Sequence, residues 1–149
     1  MKKSELKRQV AAAIQACLDK KAEEISILEM EKGSGAFTDY FVLCSGTNPR
    51  QVQAIADEVE LRLKAAEVRP AHVEGYRQGE WILVDYVDFV VHVFSEKARK
   101  YYDLERLWKT AKRLEPSELN PKTRPKSAAK LKTTPGKRIA AAPARRKKA

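Results

Sequence analysis

Asp85 and Asp88 are the two carboxylates whose spacing most invites a catalytic reading, because nearby acids on a strand can hold the magnesium ions that clamp a transferring phosphoryl or nucleotidyl group. Gly46-Thr47, just ahead of a helical segment opening at Arg50, could mimic the matching phosphate cradle. The spacing of the acids argues against the pair. Residues two apart on a strand share a face, whereas Asp85 and Asp88 are three apart and straddle a turn. No catalytic residue is assigned on this basis. His92 and His72, the only histidines, lie far apart in sequence, and neither has a cysteine at ligand spacing, so no metal ligand or cofactor is assigned either. Cys17 falls in a helical stretch and Cys44 in an apolar strand; they read as two buried thiols of a reducing compartment, the cytoplasm.

The residues better suited to contact than to catalysis are aromatic and charged. Trp81 combines a large apolar ring with one N–H and belongs either to the core or to an interface as an anchor; the anchor reading is taken here. In Phe89-Val90-Val91-His92-Val93-Phe94, alternation puts His92 on the face of Val90 and Phe94. Asp85 shares a face with Trp81 and Leu83 and is placed to pair with His92 across a hairpin, as a structural pair or as the polar part of a docking patch. Arg99 and Arg106 follow as candidate partner contacts, while Glu74-Gly75 reads as a backbone requirement for glycine.

These side chains need elements to position them, and the pattern alternates between helical and strand periods. Leu6, Val10, Ile14 and Leu18 recur every four residues, the stripe of an amphipathic helix and not of a signal peptide. Ile25–Met30 reads as a strand, Gly33-Ser34-Gly35 as a loop, and Thr38–Ser45 as a buried central strand. Asn48 as a cap and Pro49 at the first helical position start a helix running to about Glu67, with Val52, Ile55, Ala56, Val59 and Leu63 facing the sheet. His72–Tyr76, Trp81–Tyr86 and Phe89–Phe94 are strands, the last two a hairpin; Ser95 caps a helix. A closing helical segment follows, through Leu104, Leu107, Trp108, Ala111 and Leu114. The order α-β-β-α-β-β-β-α-α predicts an α/β (α+β) protein with a single mixed β-sheet packed with helices.

Charge divides the chain. Residues 1–115 hold 19 Lys plus Arg against 19 Asp plus Glu, while residues 116–149 hold 11 against the single Glu118, so the whole net charge of +10 resides in the second segment. Pro116, Pro121, Pro125, Pro135 and Pro143 punctuate that segment, which is otherwise mostly Lys, Arg, Ala, Ser and Thr. The expectation is one domain over 1–115 and a disordered basic tail over 116–149, suited to phosphate backbones or simply solubilising. With 43% hydrophobic residues and no apolar run near the roughly 20 that a membrane-spanning helix requires, no membrane partner is expected.

Thr38-Asp39-Tyr40-Phe41-Val42, Ser45-Gly46-Thr47 leading into Arg50-Gln51-Val52 and Ile55-Ala56-Asp57, then Glu74-Gly75, Trp81 with Asp85, Val91-His92, Arg99, Tyr102, Leu104-Glu105 and Leu107-Trp108 together resemble the Iojap/RsfS family of ribosomal silencing factors, in order from about Leu6 to Leu114. The resemblance implies a nucleotidyltransferase-like fold without the catalytic carboxylates, and binding to the large ribosomal subunit through ribosomal protein fourteen. It further implies obstruction of subunit joining under nutrient limitation, and association with a second copy as a homodimer. It adds Tyr102 to the partner-binding set of Trp81, Asp85, His92, Arg99 and Arg106, and it stops short of the basic tail, which on a ribosome would contact ribosomal RNA phosphates. Two other classes stay open: an enzyme of nucleotidyl transfer, and a general RNA-binding module driven by the tail.

Overall fold

A six-stranded mixed sheet in the order β3-β4-β5-β2-β1-β6 organises the computed structural model, which describes residues 3–31, 33, 35 and 37–119. The elements are α1 (Lys3–Asp19), β1 (Glu23–Glu29), β2 (Tyr40–Gly46), α2 (Pro49–Ala65), β3 (His72–Glu74), β4 (Trp81–Asp85) and β5 (Phe89–Ser95). They are followed by α3 (Glu96–Tyr102), α4 (Leu104–Leu107), β6 (Lys112–Leu114) and α5 (Pro116–Leu119). The single mixed sheet packed with helices is thus as expected, with two short elements added at the end.

β2 and β5 lie side by side in parallel, from Tyr40 opposite Phe89 to Gly46 opposite Ser95, and every other pairing is antiparallel. Their nearly continuous apolar sequences follow from this central place, since both faces of a central strand are covered. One face packs against α1 and α2, burying Val10, Ile14, Ile55, Val59 and Leu63 with Val42, Cys44, Val91 and Val93. Asn48 caps α2 by accepting from the Gln51 backbone N–H, and Pro49 opens the helix, where its missing N–H costs nothing.

Three expectations need correction. Leu18 is not part of the α1 stripe; it is 50% exposed, while Cys17 is fully buried. At 3.6 residues per turn a strict four-residue repeat drifts, and Leu18 lies about 120° around the helix from Leu6, whereas Cys17 is within about 20° of it. The closing segment is not a helix through Leu114: Asp103 adopts a left-handed conformation, α4 is a single turn, and Lys112–Leu114 pair with β1 as an edge strand. The folded unit also runs beyond 115. α5 returns to α1 and buries Leu119, so packed structure reaches at least that residue; the rest of the expected tail, 120–149, lies outside the described residues.

Candidate functional site

The second face of the sheet is covered only at one end. α3 and α4 close over Leu28, Leu43 and Phe94, and beside them Trp81, Leu83 and Asp85 of β4, Phe41 of β2, and Trp108 remain half-buried. Strand register places these side chains. Leu83 stands opposite His92, which stands opposite Leu43; Trp81 pairs with Phe94; Asp85 pairs with Val90. Alternation along β4 and β5 therefore puts Trp81, Asp85 and His92 on one face, as the sequence implied.

Aromatic rings form a continuous run across this face. Trp81 lies 4.6 Å from Tyr102 and 5.1 Å from Phe94, and Tyr101 meets Tyr102 edge-on at 5.0 Å. Phe41 packs edge-on against both His92 and Trp108. Tyr101 is 79% exposed, Leu107 70% and Tyr102 48%, an unusual concentration of large apolar side chains in solvent. Arg106, on α4 beside Leu107, is exposed as well.

The polar groups are arranged differently from the expectation. Asp85 does not pair with His92: its Oδ2 lies 3.7 Å from His72 Nε2 on β3, and its Oδ1 accepts from the Val87 backbone N–H. The hairpin register explains this, because Val90 and not His92 faces Asp85. His92 instead accepts at Nδ1 from the Trp81 indole N–H at 3.0 Å. Burial lowers its pKa from the usual 6.5 to about 3, so the ring is neutral and its one proton sits on Nε2.

Arg99 is 7% exposed, and its guanidinium is turned inward. It makes a two-point contact with Glu105 (Nε to Oε1 3.2 Å, Nη2 to Oε2 2.6 Å) and donates to Ser45 Oγ and Ser26 Oγ. Ser26 Oγ and Arg113 of β6 add two further donors to Glu105. The Arg99 hydrogen bond, followed by those from Ser26 and Arg113, lowers the Glu105 carboxyl to about 2 against desolvation, which acts the other way. Arg99 thus shapes the exposed face by tying α3 and α4 to β1 and β2.

The loop that could have cradled a phosphate is occupied by the chain itself. Gln51 Oε1 accepts from the Thr47 N–H and Thr47 Oγ1, and its Nε2 donates to the carbonyls of Lys20 and Lys21. With Asn48 Oδ1 accepting from the Gln51 N–H, two of the donors an anion would use here, the Thr47 and Gln51 N–H groups, are already paired. Asp88 lies in the β4–β5 turn, accepting from the Asp39 N–H through its carbonyl, away from the Asp85–His72 contact. Among the described residues no group of three or more His, Cys, Asp or Glu is placed to hold a metal ion. Cys17 and Cys44 are buried free thiols 3.8 Å apart, the Cys44 thiol pushed well up by the Cys17 hydrogen bond and by burial.

Phe41, Tyr101, Leu107 and Trp108 were missed as members of this face. Phe41 was legible, since it alternates with Leu43 on β2, and Tyr101 stands next to Tyr102 on the expected helix, but Leu107 and Trp108 depend on the Asp103 break and so could not be read from periodicity.

These observations define the class as an α+β protein with half-buried aromatic side chains on the second sheet face and exposed ones on α3 beside it. The chain matches the family model "Ribosomal silencing factor during starvation" over residues 3–141, further than the Leu6–Leu114 span of the resemblance. The ribosomal silencing factor RsfS of Bacillus subtilis is 46% identical over 99 residues, 66% of this chain and 81% of that protein. The protein of the same name from Halalkalibacterium halodurans is 43% identical over 103 residues, 69% and 87% of the two chains. A crystal structure of a Chromobacterium violaceum protein superposes with a TM-score of 0.67 at 38% identity, covering 73% of this chain and 88% of that one. This chain belongs to the ribosomal silencing factor family. Among the described residues no helix is long and apolar enough to cross a membrane.

Proposed function

We propose that the chain acts stoichiometrically in the cytoplasm. It docks on the large ribosomal subunit through ribosomal protein fourteen and keeps the small subunit from joining, which represses translation when nutrients are scarce. The observation that carries this reading is the partly exposed Trp81–Tyr102–Tyr101 run, with Leu107 of α4 also exposed, on a chain of this family. Aromatic residues in a contiguous, partly exposed cluster are what concentrates binding energy at protein interfaces. Steric exclusion needs no bond-making, which agrees with a Thr47–Gln51 loop whose Thr47 and Gln51 N–H groups are already paired within the chain. The residues proposed to meet the partner are Trp81, Tyr102 and Arg106, with Asp85 at the margin and Arg99 acting by holding α3 and α4.

The test is co-sedimentation with separated subunits, followed by a joining assay. Selective binding to large subunits and reduced joining are expected. Equal binding to both subunits, or normal joining at saturation, overturns the reading. The basic segment supports one further reading, in which its cations bind RNA phosphates and the domain adds little. That version requires naked RNA to compete as well as subunits do.

A further inference from the structure

Trp81 has one polar atom, and that atom is engaged inside the protein. Its indole Nε1–H donates to His92 Nδ1 at 3.0 Å, across neighbouring strands, while the residue as a whole is only half-buried. The acceptor is enclosed: His92 is 4% exposed, with Phe41 edge-on at 4.6 Å and Phe94 parallel at 6.0 Å. A neutral imidazole with its proton on Nε2 leaves the Nδ1 lone pair free to accept, and the enclosing rings leave it little freedom to turn away. Tyr102 flanks the indole at 4.6 Å.

An interfacial tryptophan ordinarily offers its partner both a ring and a hydrogen-bond donor. Here the donor is directed inward, so what Trp81 turns outward is carbon. An acceptor on the partner placed to meet an indole N–H would lose water without gaining a bond, a mismatch that costs affinity. We propose that His92 is a positioning residue of the docking face that does not itself meet the partner. By accepting the indole N–H, it fixes the ring so that Trp81 enters an apolar pocket containing no acceptor for that N–H. The inference rests on the docking reading above and assigns His92 a role through Trp81 in place of direct contact.

Three variants separate the roles. His92→Leu keeps apolar volume and removes the acceptor. His92→Asn places Oδ1 close to where Nδ1 stood, and His92→Gln moves the acceptor one carbon further out. In two-dimensional ¹⁵N–¹H spectra of the free full-length protein, the Trp81 indole N–H, assigned with Trp81→Phe, should be downfield and protected from exchange. His92→Leu should shift it upfield and abolish the protection, and His92→Asn should retain both. Binding to purified large ribosomal subunits should weaken about 5- to 30-fold in His92→Leu and stay within about threefold in His92→Asn, the range expected for an unpaired half-buried donor. On a Trp81→Ala background, His92→Leu should cost no further affinity.

Should His92→Leu lose its cooperative melt, His92→Gln takes its place with the same expected loss. The positioning role is overturned if the loss persists on the Trp81→Ala background, which would mean that His92 touches the partner. It is equally overturned if the indole resonance moves and affinity does not, although Trp81→Ala weakens binding. Failure of the docking reading is distinct: Trp81→Ala would then bind large subunits as the unaltered chain does, whatever the indole resonance reports.

Discussion

Trp81 illustrates how one residue can bridge fold and function in this chain. Its ring packs against Phe94 at the edge of the cluster that α3 and α4 close over, yet part of it stays in solvent beside Tyr102. Trp81→Ala is expected to weaken large-subunit binding by about 2 kcal/mol or more, in the hot-spot range, while the chain still melts cooperatively; a titration against purified subunits with a parallel thermal melt checks both. Glu105 makes a prediction in pH. Its folded pKa, about 2, lies below the ordinary 4.5, so the stability it contributes is complete above about pH 4.5 and is lost as pH falls towards 2. The loss should be on the order of 2 kcal/mol, allowing for solvent screening on the partly open side of the carboxylate. Glu105→Gln should be less stable at pH 7 and should flatten this part of the urea-stability profile against pH. The shared face of Trp81, Asp85 and His92 was legible from alternation alone, because a strand has only two faces. Which atoms pair on that face was not, since it depends on the register that sets Val90 and not His92 opposite Asp85.

The elements that support this face depend on two backbone positions with positive φ. Gly75, at φ 81, follows β3 in the turn that leads into β4, and a Cβ there would collide with the Trp81 carbonyl oxygen. Gly75→Ala therefore combines an unfavourable conformation with displacement of the Trp81 strand. A loss of roughly 1 to 3 kcal/mol in chemical denaturation is expected, accompanied by weaker subunit binding. Asp103, at φ 46, is the opposite case: it ends α3 and starts α4, but its side chain makes no capping hydrogen bond. Asp103→Gly removes the cost of a left-handed non-glycine residue and should raise stability by about 0.5 to 1 kcal/mol, measured the same way. The sequence showed the need for glycine at position 75. It hid the break at Asp103, because Leu104, Leu107, Trp108, Ala111 and Leu114 keep helical spacing across a turn and a three-residue edge strand. β6 itself consists of two charged residues and Leu114, too short and too polar to display a strand period.

At the scale of the whole molecule, the division between folded unit and basic extension decides how truncation should be read. Composition placed the boundary at 115, where charge balance ends, but packing continues at least to Leu119, because one apolar side chain docked on α1 outweighs the surrounding Pro-rich composition. Cutting after Glu115 removes a buried leucine and should destabilise the domain by about 2 to 5 kcal/mol, the range of large-to-small core changes. Cutting after Leu119 should leave the melt unchanged. The second truncation leaves 19 Lys plus Arg against 20 Asp plus Glu, a net charge of −1, and removes 11 cations with no acid among them. If the aromatic face recognises the subunit, this shorter chain keeps its preference for large subunits and its block on joining, and loses affinity mainly at low salt. Each phosphate neutralised by the extension contributes roughly −0.7 to −0.9 to the slope of log affinity against log salt. A basic segment engaging only some of the nearby phosphates should therefore change the slope by about two to five units when it is removed, not by the full count of its cations. Binding of the full chain and the Leu119 truncation to large subunits across a salt series measures that difference. Loss of binding at every salt concentration, with the melt intact, would transfer recognition from the Trp81 face to the extension; an unchanged slope would leave the extension without a role in binding.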